Sequence, residues 1–220
     1  MLTNEELKEI ESQLRCPSGN NGIEMGINMN ESNMQMILET IDFLDIHKEN
    51  SILELGPGNA IHVAGVFEKQ ELINYHGLDI SETMYKEANK LNKQLTKEKP
   101  VEFKLYNGID IPYSDNYFDR IMTVNTVYFW SEPVKMMEEL ARCLKPNGIC
   151  IITFTDKDFM KQLPFVGEKF KLYGENDIKI LAAKSKLTLL ETKRLTGKVK
   201  SKIGDFADRK FIMAKLTKNE

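Results

Sequence analysis

From residue 51 onward, short apolar runs of strand length alternate with stretches of helical period, and no other feature of the chain restricts its fold as much. Residues 51–55, 75–80, 101–106, 118–124 and 149–154 read as strands. Between them, 60–71 reads as a helix turning Val63, Val66 and Phe67 inward, and Ser81 can cap a helix running to about Leu95. Ser131 caps another helix with Pro133 in its first turn. Its Met137, Leu140, Ala141 and Leu144 form one apolar stripe, and it stops before Pro146-Asn147-Gly148. Strand–helix–strand units give parallel neighbours with helices on both faces of the sheet. The unbroken apolar run at 149–154 is what a strand covered on both sides requires. The tail differs: a helix near 175–184 precedes β-like stretches at 187–195 and 210–216. Their connection is too short for a crossover, so they must pair antiparallel. The expected architecture is α/β and doubly wound, a mostly parallel seven-stranded sheet with an antiparallel C-terminal hairpin strand and an N-terminal helical extension.

The extension begins with a capping box, Thr3 with Glu6, opening an amphipathic helix to about Leu14. Residues 16–22, rich in Pro, Gly and Asn, read as a loop. A Met-rich stretch then leads into a helix from about Ser32, with Met34, Ile37, Leu38, Ile41 and Leu44 at helical spacing. With no repeat or linker, one domain is expected: 1–48 as extension, 49–154 as cofactor-binding core and 155–220 completing the sheet. Its net charge of −3 argues against a dedicated nucleic-acid binder. The Glu-rich first fourteen residues do not form a secretory leader, and no apolar run is long enough to span a bilayer, so a soluble, cytoplasmic protein is expected. The three cysteines, Cys16, Cys143 and Cys150, lack metal-ligand spacing and read as small buried or half-buried thiols; no metal is expected.

The first strand ends in Glu54 and turns through Gly56-Pro57-Gly58. Glycines there let the backbone pass close to a ligand, beyond the carboxyl ends of the strands where open parallel sheets bind ligands. Asp79 closes the second strand, where a carboxylate can accept from both ribose hydroxyls of an adenosine. A dinucleotide site wants a third glycine, and Ile61 occupies that position and is expected to crowd it. Glu54 adds negative charge, which suits a sulfonium and an amino group better than a pyrophosphate.

The segment Ile52-Leu53-Glu54-Leu55-Gly56-Pro57-Gly58-Asn59-Ala60 resembles motif I of the class I S-adenosylmethionine-dependent methyltransferases, which are Rossmann-like. Gly77-Leu78-Asp79-Ile80-Ser81 resembles their ribose-binding segment. Tyr106-Asn107-Gly108-Ile109-Asp110 resembles the stretch that meets the adenine amino group. Phe118-Asp119 with Asn125-Thr126-Val127 resembles the fourth-strand segment beside the methyl donor, and Leu144-Lys145-Pro146-Asn147-Gly148 the turn before strand five. The resemblance runs from about residue 50 to 154 and implies S-adenosyl-L-methionine as cofactor, leaving S-adenosyl-L-homocysteine. It implies that Glu54 faces the methionine amino group and that Gly56 and Gly58 line the methionyl and ribose portions. Ile80 and Met84 would flank the adenine, Asn107 and Gly108 would meet its edge, and Asn125 would sit beside the donor. Ala60 replaces a frequent glycine and Asn107 a frequent Asp, both compatible with binding.

Asn125, Tyr128, Phe129 and Trp130 follow strand four and are the acceptor-pocket candidates. The three aromatics can wall a pocket or pack beneath the next helix, and the sequence leaves both open. Thr126-Val127 takes the place of the paired prolines with which many amino-group methyltransferases of nucleic acids hold a planar nitrogen. His62 could be a base or a packed or exposed histidine; His47 and His76 show no partner. Lys193, Arg194, Lys198, Lys200 and Lys202 read as the decoration of a solvated hairpin. Residues 17–33, with Met25 and Met29, read as a lid. The expectation is methyl transfer to a small molecule by a monomer or homodimer. The alternatives are an RNA or protein acceptor, or a non-catalytic cofactor binder.

Overall fold

A computed structural model of the chain describes residues 2–200 and 206–218. Two N-terminal helices, α1 (Asn4–Arg15) and α2 (Gly19–Phe43), precede the sheet. The chain continues through β1 (Ser51–Leu55), α3 (Val63–Lys69), β2 (Asn74–Asp79), α4 (Glu82–Leu91), α5 (Leu95–Glu98), β3 (Val101–Leu105) and β4 (Phe118–Val124). Then come α6 (Pro133–Cys143), β5 (Leu144–Thr155), α7 (Lys157–Met160), α8 (Glu175–Ala183), β6 (Leu187–Lys200) and β7 (Phe206–Lys218). The seven strands lie in the order β3-β2-β1-β4-β5-β7-β6. β1 to β5 are parallel, and β7 pairs antiparallel with both β5 and β6. This is the expected architecture, including the antiparallel close.

Period-two alternation along the central strands feeds two cores. Leu53, Leu55 and Ile121 face Met137 and Leu140 of α6 and Ile178 of α8. Ile52, Tyr75 and Met122 face Met36 and Ile41 of α2 and Val63 of α3. Most of these side chains are fully buried, and burying one such Leu or Ile contributes about 1.5–3 kcal/mol. Met137, Leu140 and Ala141 of the stripe read on α6 are buried and Pro133 opens that helix as expected, but Leu144 belongs to β5 and the N-cap is Glu132, not Ser131. No described helix is long and apolar enough to cross a membrane.

Several expected boundaries move. The helix after the glycine turn is shorter than 60–71, because Ala60 and His62 remain in the turn. The helix capped by Ser81 ends at Leu91, with α5 beyond it. β5 extends back to Leu144, and both hairpin strands are longer than the apolar runs that mark them.

The largest correction concerns residues 16–31. The loop read over 16–22 is confined to 16–18, and α2 is one helix of 25 residues from Gly19, not from Ser32. Glycine costs a helix interior about 1 kcal/mol relative to alanine, which is why this stretch reads as irregular. Its glycines are contact points. A Cβ on Gly22 would lie 2.7 Å from the Pro17 carbonyl carbon, and one on Gly26 would lie 2.6 Å from the Met84 sulfur. Tertiary contact overrides local propensity here.

Candidate functional site

At the carboxyl ends of β1, β2 and β4 lies a cavity of about 190 Å³. It is lined by all nine residues singled out for the cofactor, from Glu54 to Asn125. The β1 turn makes room for it. Gly56 and Gly58 have φ of +71° and +59°, in the left-handed region open to glycine. A Cβ at Gly56 would strike the Thr126 methyl at 2.5 Å, whereas the space beside Gly58 is open. Ala60 shares this backbone region, at φ +54°, so the glycine frequent there in the resembling family would relieve strain that this chain retains. Ile61 corrects the sequence reading: it is 53% exposed and lies outside the cavity wall, so it does not crowd the site.

Two buried carboxylates form one side of the cavity. Asp79 accepts Gly58 N–H at 3.1 Å on Oδ2 and Ser81 N–H at 2.8 Å on Oδ1. The Ile80 N–H is a third backbone donor to this carboxylate. Burial raises its pKa to about 6, against the lowering pull of these backbone donors, with the Glu54 charge adding to the rise. The helix cap is provided by Ser81, whose hydroxyl accepts Met84 N–H. Asp79 is thus free of that duty.

Glu54 is only 1% exposed. The Tyr75 hydroxyl donates to its Oε2, and His62 Nε2 lies 2.8 Å from the same oxygen. His62 is therefore packed, not exposed; it positions Glu54 and does not line the cavity. Burial and the neighbouring Glu54 push the Tyr75 phenol far above its usual range, keeping it a donor.

Beyond the ends of β2 and β3, Ile80, Met84, Tyr106, Asn107 and Gly108 line the cavity. Asn107 Oδ1 accepts from Ile109 N–H at 2.9 Å and Asp110 N–H at 2.8 Å. Both acceptor sites of that oxygen are used by its own turn, an Asx arrangement that secures Gly108 at φ +79°. Met84 has two roles, seating α4 against Gly26 and lining the cavity.

The N-terminal helices close the opposite side through Leu14, Arg15, Pro17, Gly26, Met29 and Asn33. They are fastened at several separate points. Ser81 Oγ donates to Pro17 O, and Gly19 N–H donates to Thr83 Oγ1 at 3.2 Å. Glu11 accepts Lys169 N–H at 2.7 Å, and the Thr40 and Thr153 hydroxyls meet at 2.6 Å. Asn33 and Arg209 were invisible to sequence reasoning. Asn33 is a polar residue on a helix otherwise read for its apolar stripe, and Arg209 is one more cation in a Lys-rich tail.

Of the three aromatics, Phe129 and Trp130 line this cavity, while the Tyr128 hydroxyl donates to Asn125 Oδ1 at 2.9 Å and accepts from Thr155 N–H. Asn125 sits at φ +57°, donates to Asn33 Oδ1 at 3.0 Å and accepts from Thr155 N–H at 3.1 Å. It ties α2 to β5. Trp130 is 6% exposed and its Nε1 has no partner among the described residues.

The remaining sequence candidates lie elsewhere. His47 and His76 do have partners: Asp45 at 3.1 Å, and Tyr113 and Glu102 at 3.1 and 3.3 Å. Arg194 pairs with Glu175, Lys198 with Asp208, and Lys193 sits over the Phe43 ring. Lys202 and the Lys200 side chain lie outside the described residues. Burial raises the Cys143 and Cys150 thiols to about 11 and about 12, which keeps both protonated and unreactive.

A doubly wound sheet with a glycine turn after β1 and a carboxylate closing β2 is an arrangement that nucleoside-cofactor proteins share. Comparison with known proteins narrows the class. Residues 53–152 match the family model described as a methyltransferase domain. The chain is 29% identical over 121 residues to the uncharacterized methyltransferase YdaC of Bacillus subtilis (strain 168), covering 54% of this chain and 64% of YdaC. It is 27% identical over 126 residues to norajmaline N-methyltransferase of Rauvolfia serpentina, covering 54% of this chain and 42% of the relative. It therefore spans less than two thirds of the length of either. Among solved structures, the complex between the Haloferax volcanii Trm112 methyltransferase activator and a methyltransferase superposes with a TM-score of 0.75 at 13% identity, over 89% of this chain and 93% of that one. Residues 53–152 thus carry a methyltransferase domain, and fold and matches together support a class I S-adenosylmethionine-dependent methyltransferase.

Proposed function

We propose that the chain transfers a methyl group from S-adenosylmethionine to a small-molecule acceptor. The observation that carries this reading is Asp79, a buried carboxylate that closes β2 in the cavity wall and is held there by backbone N–H groups. The cavity's donor set fits the cofactor in other respects. The open left-handed backbone at Gly58 admits a ligand against the main chain. Glu54 and Asp79 are the only carboxylates on the wall and Arg15 its only basic residue, which suits a cationic sulfonium better than a pyrophosphate.

When bound, the cofactor would supply a sulfonium methyl whose carbon an acceptor lone pair attacks as the carbon–sulfur bond breaks, the sulfur leaving with the bonding electrons as S-adenosylhomocysteine. The chain's own work is orientation. Asp79 holds the ribose hydroxyls, and Glu54, fixed by Tyr75 and His62, receives the methionine ammonium. Ile80 and Met84 sandwich the adenine. Because the Asn107 oxygen is committed to its turn, the adenine edge falls to backbone groups around Gly108. Phe129 and Trp130 bound the donor on the acceptor side. Such positioning contributes on the order of 7–11 kcal/mol in favourable systems, and a base is needed only for an acceptor that must lose its proton before attack. Helices α1 and α2 act as the lid.

A small acceptor is supported by the enclosure of the site under those helices and by the name of the plant relative, which acts on norajmaline. The test incubates the protein with methyl-labelled S-adenosylmethionine and a cell extract separated into small-molecule, RNA and protein fractions. Label in the small-molecule fraction is expected. Label confined to RNA or protein overturns the acceptor class, and no label despite cofactor binding favours a non-catalytic binder.

A further inference from the structure

Beside the cofactor cavity lies a second one of about 130 Å³, and Leu14, Met29, Asn33, Asn125 and Phe129 belong to the walls of both. A group in the second cavity is therefore adjacent to whatever fills the first. Most of its wall is apolar, including Met160, Leu163, Phe165 and Phe170. Of its polar members, Asn125, Tyr128 and Thr155 are mutually hydrogen-bonded.

Arg209 on β7 is the exception. Among the described residues it is the only charged one on that wall, and it is 8% exposed. Its Nη1 donates to Asn33 Oδ1 at 2.9 Å and its Nη2 to the Ser32 carbonyl at 2.6 Å, both neutral acceptors. Nε has no partner, and no described carboxylate forms an ion pair with the guanidinium. Burial lowers its pKa, with only the Tyr128 phenol pulling the other way. A guanidinium withdrawn from water without a counter-charge is costly, so buried cations are ordinarily paired. The charge is left for a ligand to complete.

We propose that Arg209 is the anion anchor of the acceptor pocket, and that the methyl acceptor is a small monocarboxylate with an apolar or aromatic body. One guanidinium with no second cation matches a single negative charge, and its planar fork matches a carboxylate. Phe129, Phe165 and Phe170 receive the apolar body, and the carboxylate end lies toward β7. This rests on the proposed methyl-transfer reading of the adjoining cavity.

Trp130 is the chain's only tryptophan; it borders the first cavity beside Phe129, which lines both, and its fluorescence is the readout. The protein saturated with S-adenosylhomocysteine is titrated with aryl and alkyl monocarboxylates of graded length, benzoate to 4-phenylbutyrate and butyrate to octanoate, each paired with its primary amide. At least one acid is expected to bind tenfold or more tightly than its amide. In Arg209→Gln that preference falls to within twofold, and in Arg209→Lys, which keeps the charge without the fork, an intermediate preference survives. The affinity for S-adenosylhomocysteine, measured on each variant, controls for folding. Acid and amide binding alike in the wild type, no binding by any member of the series, or an undiminished preference in Arg209→Gln would each overturn the anchor while leaving the cofactor site intact. Failure of S-adenosylhomocysteine to bind the wild type would overturn the methyl-transfer reading instead.

Discussion

The two adjoining cavities are built on opposite principles. The first is formed largely by strand ends and their turns between residues 54 and 131, and its buried charge is negative, on Glu54 and Asp79. The second draws on the N-terminal helices, the segment from Met160 to Phe170 and the C-terminal hairpin, and its one charge among the described residues is the buried cation of Arg209. In the first, both acids are stabilised from within, Glu54 by Tyr75 and His62, Asp79 by backbone N–H groups. In the second, the cation meets only neutral acceptors. A site whose charges are already satisfied can hold one cofactor through many acceptors, whereas a site with an unmet charge selects by what the ligand brings.

This contrast can be broken by substitution. Glu54→Ala removes one member of a buried trio and leaves Tyr75 and His62 facing a void. A loss of about 3–5 kcal/mol of stability is expected, as for breaking a buried pair, read as a lower urea midpoint. An unchanged midpoint would mean that the trio does not support the turn. Asp79→Ala strands the N–H groups of Gly58 and Ser81 and removes the proposed ribose acceptor. It is expected to weaken S-adenosylhomocysteine binding by about 1–3 kcal/mol, with wild-type affinity counting against the assignment.

The N-terminal helices allow a finer comparison. Gly22→Ala drives a Cβ to 2.7 Å from backbone at Pro17, so a loss of about 1–3 kcal/mol is expected despite alanine's better helix propensity. Gly26→Ala meets the flexible end of Met84 instead. Its thermal midpoint should hold or rise while cofactor affinity falls a few-fold, because the displaced Met84 lines the cavity. Equal behaviour of the two variants would show that these glycines are not distinct contact points.

The same division governs what the sequence made legible. The five parallel strands, the glycine turn and Asp79 announce themselves because each is local: an apolar run, a Gly-x-Gly, an acid closing a strand. Glu54, Gly56, Gly58 and Asp79, read that way, line one cavity with Ile80, Met84, Asn107, Gly108 and Asn125, which only the family resemblance implied. What failed to show depends on contacts distant in sequence. Residues 19–31 read as irregular because Gly22 and Gly26 serve Pro17 and Met84, not the helix. Ile61 was expected at the site because spacing alone does not reveal that the turn at Ala60 directs it to solvent. The hydrogen bonds from Arg209 to Ser32 and Asn33 join residues more than 170 positions apart, and no periodicity encodes such a pairing.

The central claim, that the first cavity holds the methyl donor through an ionised Asp79, is tested most directly by calorimetric titration of the wild-type protein with S-adenosylhomocysteine at pH 8 and pH 5. Burial raises the Asp79 pKa from its ordinary 3.8 to about 6. The protonated form therefore predominates in the free protein below that value, and binding must expel the proton. One unit below it, affinity should be about tenfold weaker than at pH 8. The sign is opposite for folding. A carboxylate whose folded pKa is raised adds stability at low pH, and that contribution is lost as pH rises from about 4 to 6, so acid unfolding cannot imitate the result through this group. One-to-one binding at pH 8 that weakens about tenfold at pH 5 is the predicted result; no binding, or an affinity indifferent to pH, would contradict it.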